Sequence, residues 1–106
     1  MISHEDFLKL DLRVGKVLKA ERVEESKKML RLEVDLGDER RQVVAGVGLV
    51  YNPEDLVGRQ IIVLVNLEPK VFVGVESQGM LLAADTVGGP VILLPEKEVP
   101  PGTKIK

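Results

Sequence analysis

Apolar and polar side chains alternate along much of the first half of the chain. Leucine, valine and alanine occupy positions 10, 12, 14, 18 and 20, with charged residues at 11, 13, 19 and 21, which is the period of a half-buried strand. Gly15 and Lys16 interrupt this pattern, which predicts a bulge or a sharp bend in one long strand. The alternation returns over residues 30–36 and 41–47. Because residues 37–39 read Gly-Asp-Glu, these second and third strands are predicted to form a hairpin.

The second half of the chain contains one helix signal and three continuous apolar runs. Asn52 is a favourable N-cap, Pro53 fits the first helical position and Gly58 ends the segment, so a helix of one or two turns is predicted. The apolar runs lack alternation and are typical of strands covered on both faces. They occupy residues 61–65, 80–84 and 91–94. This order of elements predicts an all-β fold, a five-stranded OB-fold Greek-key barrel with a short helix after the third strand.

Composition narrows the chemistry that the chain can perform. Its 106 residues fit a single domain, residues 1–106. The absence of cysteine excludes a disulfide, a thiolate zinc site and a cysteine nucleophile. The one imidazole, His4, lies near a terminus and the paired carboxylates fall in predicted turns, so no catalytic residue, metal site or cofactor is predicted. No apolar run approaches the ~20 residues of a membrane span, which favours a cytoplasmic protein with no membrane partner.

Positive charge is concentrated in one part of the chain, although the formal net charge is −2. Residues 9–31 carry eight lysines and arginines against four acidic residues, whereas residues 32–58 are net acidic. A partner responds to the local field rather than to the sum. With only three aromatic residues, generic single-strand binding is disfavoured. The composition is therefore compatible with recognition of the shape of a structured RNA by a basic groove.

A signature motif carries a resemblance to a known family. Residues 66–84 read NLEPKVFVGVESQGMLLAA and closely resemble the signature of the tRNA-binding domain family, Asn-Leu-x-Pro-Arg/Lys followed by Gly-x-x-Ser-x-Gly-Met. That family includes the C-terminal domain or β subunit of methionyl-tRNA synthetases and freestanding structure-specific tRNA-binding proteins. Further segments match at compatible spacings. They are residues 11–17, 32–37 and 41–46, together with Tyr51, Pro53 and Glu54.

The resemblance implies a barrel with additional C-terminal strands that forms homodimers, lacks catalytic activity and binds the outer corner of tRNA with little dependence on sequence. It also implies a set of residues at or near the RNA-facing surface. These are Asn66, Lys70, Ser77, Gln78 and Met80. A serine and a glutamine flanked by glycine expose groups suited to phosphate and ribose oxygens. The alternatives are a hydrogen-bonded turn for residues 77–79, barrel core for Met80 and a loop brace for Asn66.

The chain departs from the family pattern in its charge. Many relatives carry a basic cluster where this sequence has Glu68, Val71 and Val73, so that only Lys70 remains. Fewer phosphate contacts mean a smaller electrostatic contribution to affinity. Other basic residues are the remaining candidates for phosphate contacts, with ordinary solvated charges as the alternative. They are Arg13, Lys16, Lys28 and Arg41.

These observations predict a homodimer that binds tRNA as an appendage or β subunit of a methionyl-tRNA synthetase catalytic body. One alternative is a peptide-binding, chaperone-like dimer of the same family, which an exposed apolar groove near residues 71–73 would favour. Another is a purely structural dimerisation module. Residues 91–105 combine three prolines with apolar side chains, and we expect them either to pack across a two-fold axis or to cap their own barrel.

Overall fold

A computed structural model describes all 106 residues. Two short helices and nine strands follow one another along the chain. In order they are α1 (His4–Leu8), β1 (Leu12–Arg22), β2 (Leu30–Asp35), β3 (Arg40–Ala45), α2 (Pro53–Leu56), β4 (Gln60–Leu64), β5 (Lys70–Phe72), β6 (Val75–Ser77), β7 (Met80–Leu81), β8 (Ala83–Thr86) and β9 (Gly89–Ile92). None of the helices is long and apolar enough to cross a membrane.

The central sheet is antiparallel and has the strand order β3-β2-β1-β4-β7. Strand β1 organises it, because its first half pairs with β4 and its second half pairs with β2. The sheet curls on itself into a nearly closed five-stranded barrel, which confirms the predicted all-β, OB-like fold. Two hairpins, β5–β6 and β8–β9, form separate two-stranded sheets. Of these, β8–β9 follows the five barrel strands, as expected for additional C-terminal strands, whereas β5–β6 lies between β4 and β7.

The irregularity in β1 lies later than predicted. Pairing with β2 shifts register between Val17 and Lys19, whereas Gly15 pairs regularly with Ile61 of β4. Glycine is still required at position 15, because a Cβ there would lie 2.4 Å from Cγ1 of Val34. The glycine therefore marks a close approach of two strands, and the bulge follows it.

The barrel core forms where the alternation is cleanest. The even positions of the second strand, from Leu30 to Leu36, are at most 1% exposed, as predicted. In the third strand Val44 is also buried, although the alternation directs it outward. Phe72 and Val75 of the β5–β6 hairpin cover this outer face. The hairpin thereby adds a second, smaller apolar cluster outside the barrel.

Two of the predicted buried strands are exposed on one face. The run at residues 80–84 is divided between β7 and β8, and Met80 is 44% exposed. In the run at residues 91–94, Ile92 is buried but Leu94 is 56% exposed. Continuous apolar sequence gives no information on which face has a partner within the chain, so the prediction of two covered faces is wrong here.

The chain ends differ from expectation as well. Residues 4–8 form a helix, with a capping box between Ser3 and Asp6, and Leu10 is exposed rather than part of the first strand. Residues 102–105 pair with the free edge of β1. The last part of the tail thus caps its own barrel, the second of the two arrangements expected for it.

Candidate nucleic-acid interface

Ser77 closes the barrel. It is 2% exposed, accepts a hydrogen bond from the Val44 amide at 2.8 Å and donates one to the carbonyl of Gly79 at 2.8 Å. The expectation that its hydroxyl faces a ligand is therefore corrected. The hydroxyl takes the place of a backbone carbonyl as the acceptor for β3, at the point where β3 meets the segment before β7. Without it, the buried N–H of Val44 would lack a hydrogen-bond partner.

Gln78, at the surface, adds two further hydrogen bonds between this segment and β3. Its backbone N–H donates to the Gln42 carbonyl at 2.8 Å, and its Oε1 accepts from the Gln42 amide at 3.1 Å. The side chain is exposed, and its Nε2 makes no hydrogen bond within the chain. One amide end of Gln78 is thus structural, and the other is free to donate.

Asn66 braces a loop, one of the two roles considered for it. Its Oδ1 accepts from the Asp11 amide at 2.8 Å, and its Nδ2 donates to the Lys9 carbonyl at 2.7 Å. Both ends of the amide are occupied by the segment that leads from α1 into β1. This brace connects the entry of the barrel to the end of β4, and the Asn66 side chain is otherwise exposed.

The Arg41 side chain is engaged in hydrogen bonds and an ion pair within the chain. Its Nη1 donates to the carbonyls of Val65 and Gln78, and its Nε pairs with Glu39. The side chain is 27% exposed. These contacts join β3 to the ends of β4 and of the β5–β6 hairpin.

Arg13 is also neutralised within the chain. Its Nε and Nη2 donate to the two carboxylate oxygens of Asp11, each at 3.0 Å, and Nη1 lies 3.7 Å from Asp38. The hydrogen bonds from Arg13 hold the pKa of the Asp11 carboxyl below its ordinary value, and those same bonds raise the pKa of Arg13. Charge-assisted bidentate pairs of this kind are strong and specific in geometry.

Six charged residues interact electrostatically with one another, and we call them the ion-pair cluster. It contains Arg13, Arg41, Lys104, Asp11, Asp38 and Glu39. Three positive and three negative groups cancel, so the cluster projects little field toward a polyanion. Two of the predicted phosphate contacts are therefore poorly placed for that role.

An apolar surface channel of about 500 Å³ lies beside this closure, and we call it the groove. It runs between the end of β3, the β5–β6 hairpin and the β7–β8 segment. Its lining consists of Lys28, Met29, residues 44–47, Phe72, residues 80–83 and Pro90. The predicted site residues Lys28 and Met80, far apart in sequence, meet in this groove.

Lys28 stands at the groove with its charge unpaired. Its carbonyl accepts a hydrogen bond from the Gly48 amide at 2.7 Å. Its aliphatic stem lies against Gly46, where a Cβ would be 3.0 Å from the Lys28 Cε. No carboxylate lies within ion-pair distance of the ammonium group, which makes it available to an external anion.

Lys70 is the second unpaired cation beside the groove. Its ammonium lies 5.0 Å from the centre of the Phe72 ring, a cation–π contact that does not neutralise its charge. Lys70 does not itself line the groove, but Phe72 does. Lys16 also has no ion pair, but it lies on β1 between Asp35 and Gln60 and contacts none of the lining residues. Of the predicted phosphate contacts, Lys28 lines the groove and Lys70 contacts its lining residue Phe72.

An exposed apolar groove near residues 71–73 was one alternative on sequence grounds, but the residues of β3, β7 and β8 that line it were not predicted. Phe72 is half-buried, packs against the small cluster of Val23, Met29 and Val44, and lines the groove. One signal was present: Val43, Val44 and Ala45 are consecutive apolar residues in an otherwise alternating strand. Such a run indicates cover on both faces, here by the β5–β6 hairpin.

Comparison with known proteins connects this geometry to a family. The profile described as "Putative tRNA binding domain" matches residues 12–104. The Methionine--tRNA ligase of Archaeoglobus fulgidus is 57% identical over 104 residues, 98% of this chain and 16% of the relative. That of Methanothrix thermoacetophila is 58% identical over 106 residues, 100% of this chain and 16% of the relative. The chain thus spans about one-sixth of the length of these curated relatives.

Solved structures give the same result for the fold. A MetRS related protein from Pyrococcus horikoshii superposes with a TM-score of 0.94 at 41% identity, covering 100% of this chain and 98% of that one. The chaperone CsaA from Bacillus anthracis superposes with a TM-score of 0.91 at 42% identity, covering 100% and 99%. Sequence, fold and the arrangement of the signature residues agree, and this chain belongs to the tRNA-binding domain family.

Proposed function

We propose that this chain is a non-catalytic module that binds folded tRNA at the groove. The observation that carries the proposal is the pair of unpaired ammonium groups of Lys28 and Lys70 beside an apolar channel lined by Phe72 and Met80. Unpaired cations can neutralise phosphates and release counterions. Arg13 and Arg41 are paired with carboxylates, and Lys16 is unpaired but makes no contact with the groove lining, which favours binding here.

The groove supports recognition of shape rather than of sequence. Lysine ammonium groups contact phosphates, which fix position and carry no sequence information. The half-exposed Met80 and the Phe72 ring offer apolar surface to the faces of a ribose or an unstacked base. Gln78 can donate from its free Nε2. None of these groups presents the bidentate pattern that reads a base edge.

The similarity to methionine--tRNA ligases supports a role in methionyl-tRNA synthesis. We propose that the chain acts joined to, or assembled with, a methionyl-tRNA synthetase catalytic body in the cytoplasm. Its own weak site would raise the local concentration of tRNA at the catalytic site, because linked sites gain from effective concentration without new contacts.

An exposed apolar face supports a homodimer. Val87 is fully exposed, and Val91, Leu93 and Leu94 are each 43–56% exposed on or beside the β8–β9 hairpin. Val50 extends this face, since its Cγ2 would lie 2.8 Å from a Cβ at position 89. A second copy would cover these aliphatic side chains. In sedimentation, Val91→Glu is expected to convert the dimer into a folded monomer, and a dimer of unchanged affinity would contradict this interface.

Equilibrium binding to folded tRNA at two salt concentrations tests the function. Lys70→Glu is expected to weaken binding and to lower the dependence of affinity on salt by about one unit of slope. Lys106→Glu makes the same charge change at an exposed terminal position outside the groove and should leave affinity nearly unchanged. Equal losses in the two variants would contradict a contact at Lys70.

Competitors separate the alternatives in the same experiment. Structured RNA should displace bound tRNA, whereas double-stranded DNA and an unfolded apolar peptide should not. The apolar lining of the groove and the CsaA neighbour favour a peptide-binding chaperone as the second candidate. Peptide capture without RNA binding would establish that candidate, and a dimer that binds neither would leave a dimerisation module.

A further inference from the structure

The position of Lys28 depends on contacts between two loops. Lys28 lies in the loop that joins β1 to β2, and its neighbours across the groove belong to the segment after β3. Arg22, the last residue of β1, links these two loops. Its Nη1 donates to the Lys27 carbonyl at 3.1 Å and to the Gly48 carbonyl at 2.8 Å.

Gly48 allows the two loops to approach this closely. A Cβ at position 48 would lie 2.6 Å from the Lys27 carbonyl oxygen, 2.8 Å from the Lys28 carbonyl oxygen and 3.1 Å from Arg22 Nη1. Two of these atoms belong to backbone, which cannot move aside as the end of a side chain can. Position 48 therefore has no room for a side chain while the loops keep this arrangement.

Together these contacts fix the backbone of Lys28 on both sides. The Gly48 amide holds the Lys28 carbonyl, and Arg22 holds the carbonyl of the preceding residue. The carbonyls of Lys28 and of the residue before it are thus both hydrogen-bonded, and the Lys28 stem rests on Gly46. Pre-ordering of a binding group reduces the conformational entropy that is lost when the ligand binds.

We infer that Arg22 is a positioning residue for RNA binding, which acts by holding the Lys28 loop against Gly48 at the mouth of the groove. This inference rests on the proposed function. Arg22 is not one of the family signature residues, and its guanidinium pairs with no carboxylate. Its side-chain hydrogen bonds all go to two backbone carbonyls, those of Lys27 and Gly48.

A double-mutant cycle with Lys28 tests whether Arg22 acts through it. Arg22→Ala alone should weaken tRNA binding about threefold to fivefold, comparable with Lys28→Ala. In the Lys28→Ala background, Arg22→Ala should cause almost no further loss. Additive losses would overturn the inference, because they would show that Arg22 contacts a phosphate directly.

Two further variants separate positioning from charge. Gly48→Ala leaves the charge unchanged and should weaken binding by a similar factor, again with no further loss in the Lys28→Ala background. Arg59→Ala removes one positive charge from a guanidinium that makes no hydrogen bond or ion pair, and it should leave affinity within about twofold. A loss for Arg59→Ala as large as that for Arg22→Ala would assign the effect to net charge.

Hydrogen exchange provides a readout that does not require RNA. The Gly48 amide, which donates to Lys28, should exchange faster in Arg22→Ala, and amides of β1 and β2 should be unchanged. Arg22→Lys, which retains one donor, should restore part of the protection and of the affinity. Wild-type protein that fails to bind tRNA would contradict the proposed function; unchanged Gly48 exchange in Arg22→Ala would contradict the positioning role alone.

Discussion

The ion-pair cluster and the groove both present basic side chains, but the arginines of the cluster are paired, whereas the lysines beside the groove are unpaired. In the ion-pair cluster, Arg13 and Arg41 are held by carboxylates and backbone carbonyls. Beside the groove, Lys28 and Lys70 have no carboxylate partner. All four residues were equally good candidates for phosphate contacts on sequence alone. The difference lies in what surrounds them after folding.

The chemistry of the two side chains accounts for this division. A guanidinium offers five donors in a fixed plane and can satisfy two or three acceptors at once, which suits it to joining strands. An ammonium on a flexible stem is a point charge that stays hydrated until a partner arrives. In this barrel, Arg13 and Arg41 bind carboxylates and backbone carbonyls, whereas the ammonium groups of Lys28 and Lys70 have no carboxylate partner.

The largest expected effect is on tRNA affinity at the groove. Replacing Lys28 and Lys70 together by alanine should weaken binding about 30-fold and reduce the salt slope by about two, since two phosphate contacts are lost. The matched variant replaces Arg13 and Arg41 by glutamine, which removes the same charge from the ion-pair cluster. Binding titrations at three salt concentrations should show a loss of no more than about twofold for it. Similar losses in both double variants would remove the distinction between the two regions.

The reverse effect is expected on stability. Arg41→Gln should lower the free energy of unfolding by about 1–2 kcal/mol, because two backbone carbonyls lose a charged donor. Arg40→Gln is the control, since Arg40 is 70% exposed and pairs only with Glu33, and its cost should stay within about 0.5 kcal/mol. Urea unfolding measures both variants. Equal stabilities would show that Arg41 is a surface charge like its neighbour.

The smallest effect concerns pH. Arg13 lowers the pKa of Asp11 below its ordinary value of 3.8, so the pair stabilises the folded state above that pH and the stabilisation is lost as pH falls through the folded-state pKa. Because the pair is partly exposed, Asp11→Asn should lower the free energy of unfolding by only about 0.5 kcal/mol at neutral pH. The difference between wild type and variant should disappear in acid. A difference that persists there would assign the effect to something other than ionisation of Asp11.

The sequence predicted those parts of the fold that depend on neighbouring residues. The burial of Leu30 to Leu36 follows from local alternation, and the helix begins at Pro53 as predicted, although the Asn52 side chain makes no capping hydrogen bond. Whether Val44 has a second covered face depends on Phe72, which arrives from a distant hairpin. Likewise, the burial of Ser77 depends on the backbone of β3.

The candidate site was predictable to the same limited extent. The signature motif located Met80 and Lys70, but pairing partners decided which cations remain available. Asn66 and Gln78 resembled ligand contacts because amides serve equally well as braces. Gly46 and Gly48 allow the loop that carries Lys28 to pack closely against them. A single sequence gives no signal for this role, because the loop they contact is distant in the chain.

The closure of the barrel by Ser77 and Gln78 has a consequence for the order of folding. The β2–β3 hairpin joins residues close in sequence, whereas the bonds from β3 to Ser77 and Gln78 span 33 and 36 residues. Contacts between distant residues require a larger loss of chain entropy before they form. We therefore expect the hairpin to assemble before this seam closes, so that the surface beside the groove forms after the β2–β3 hairpin.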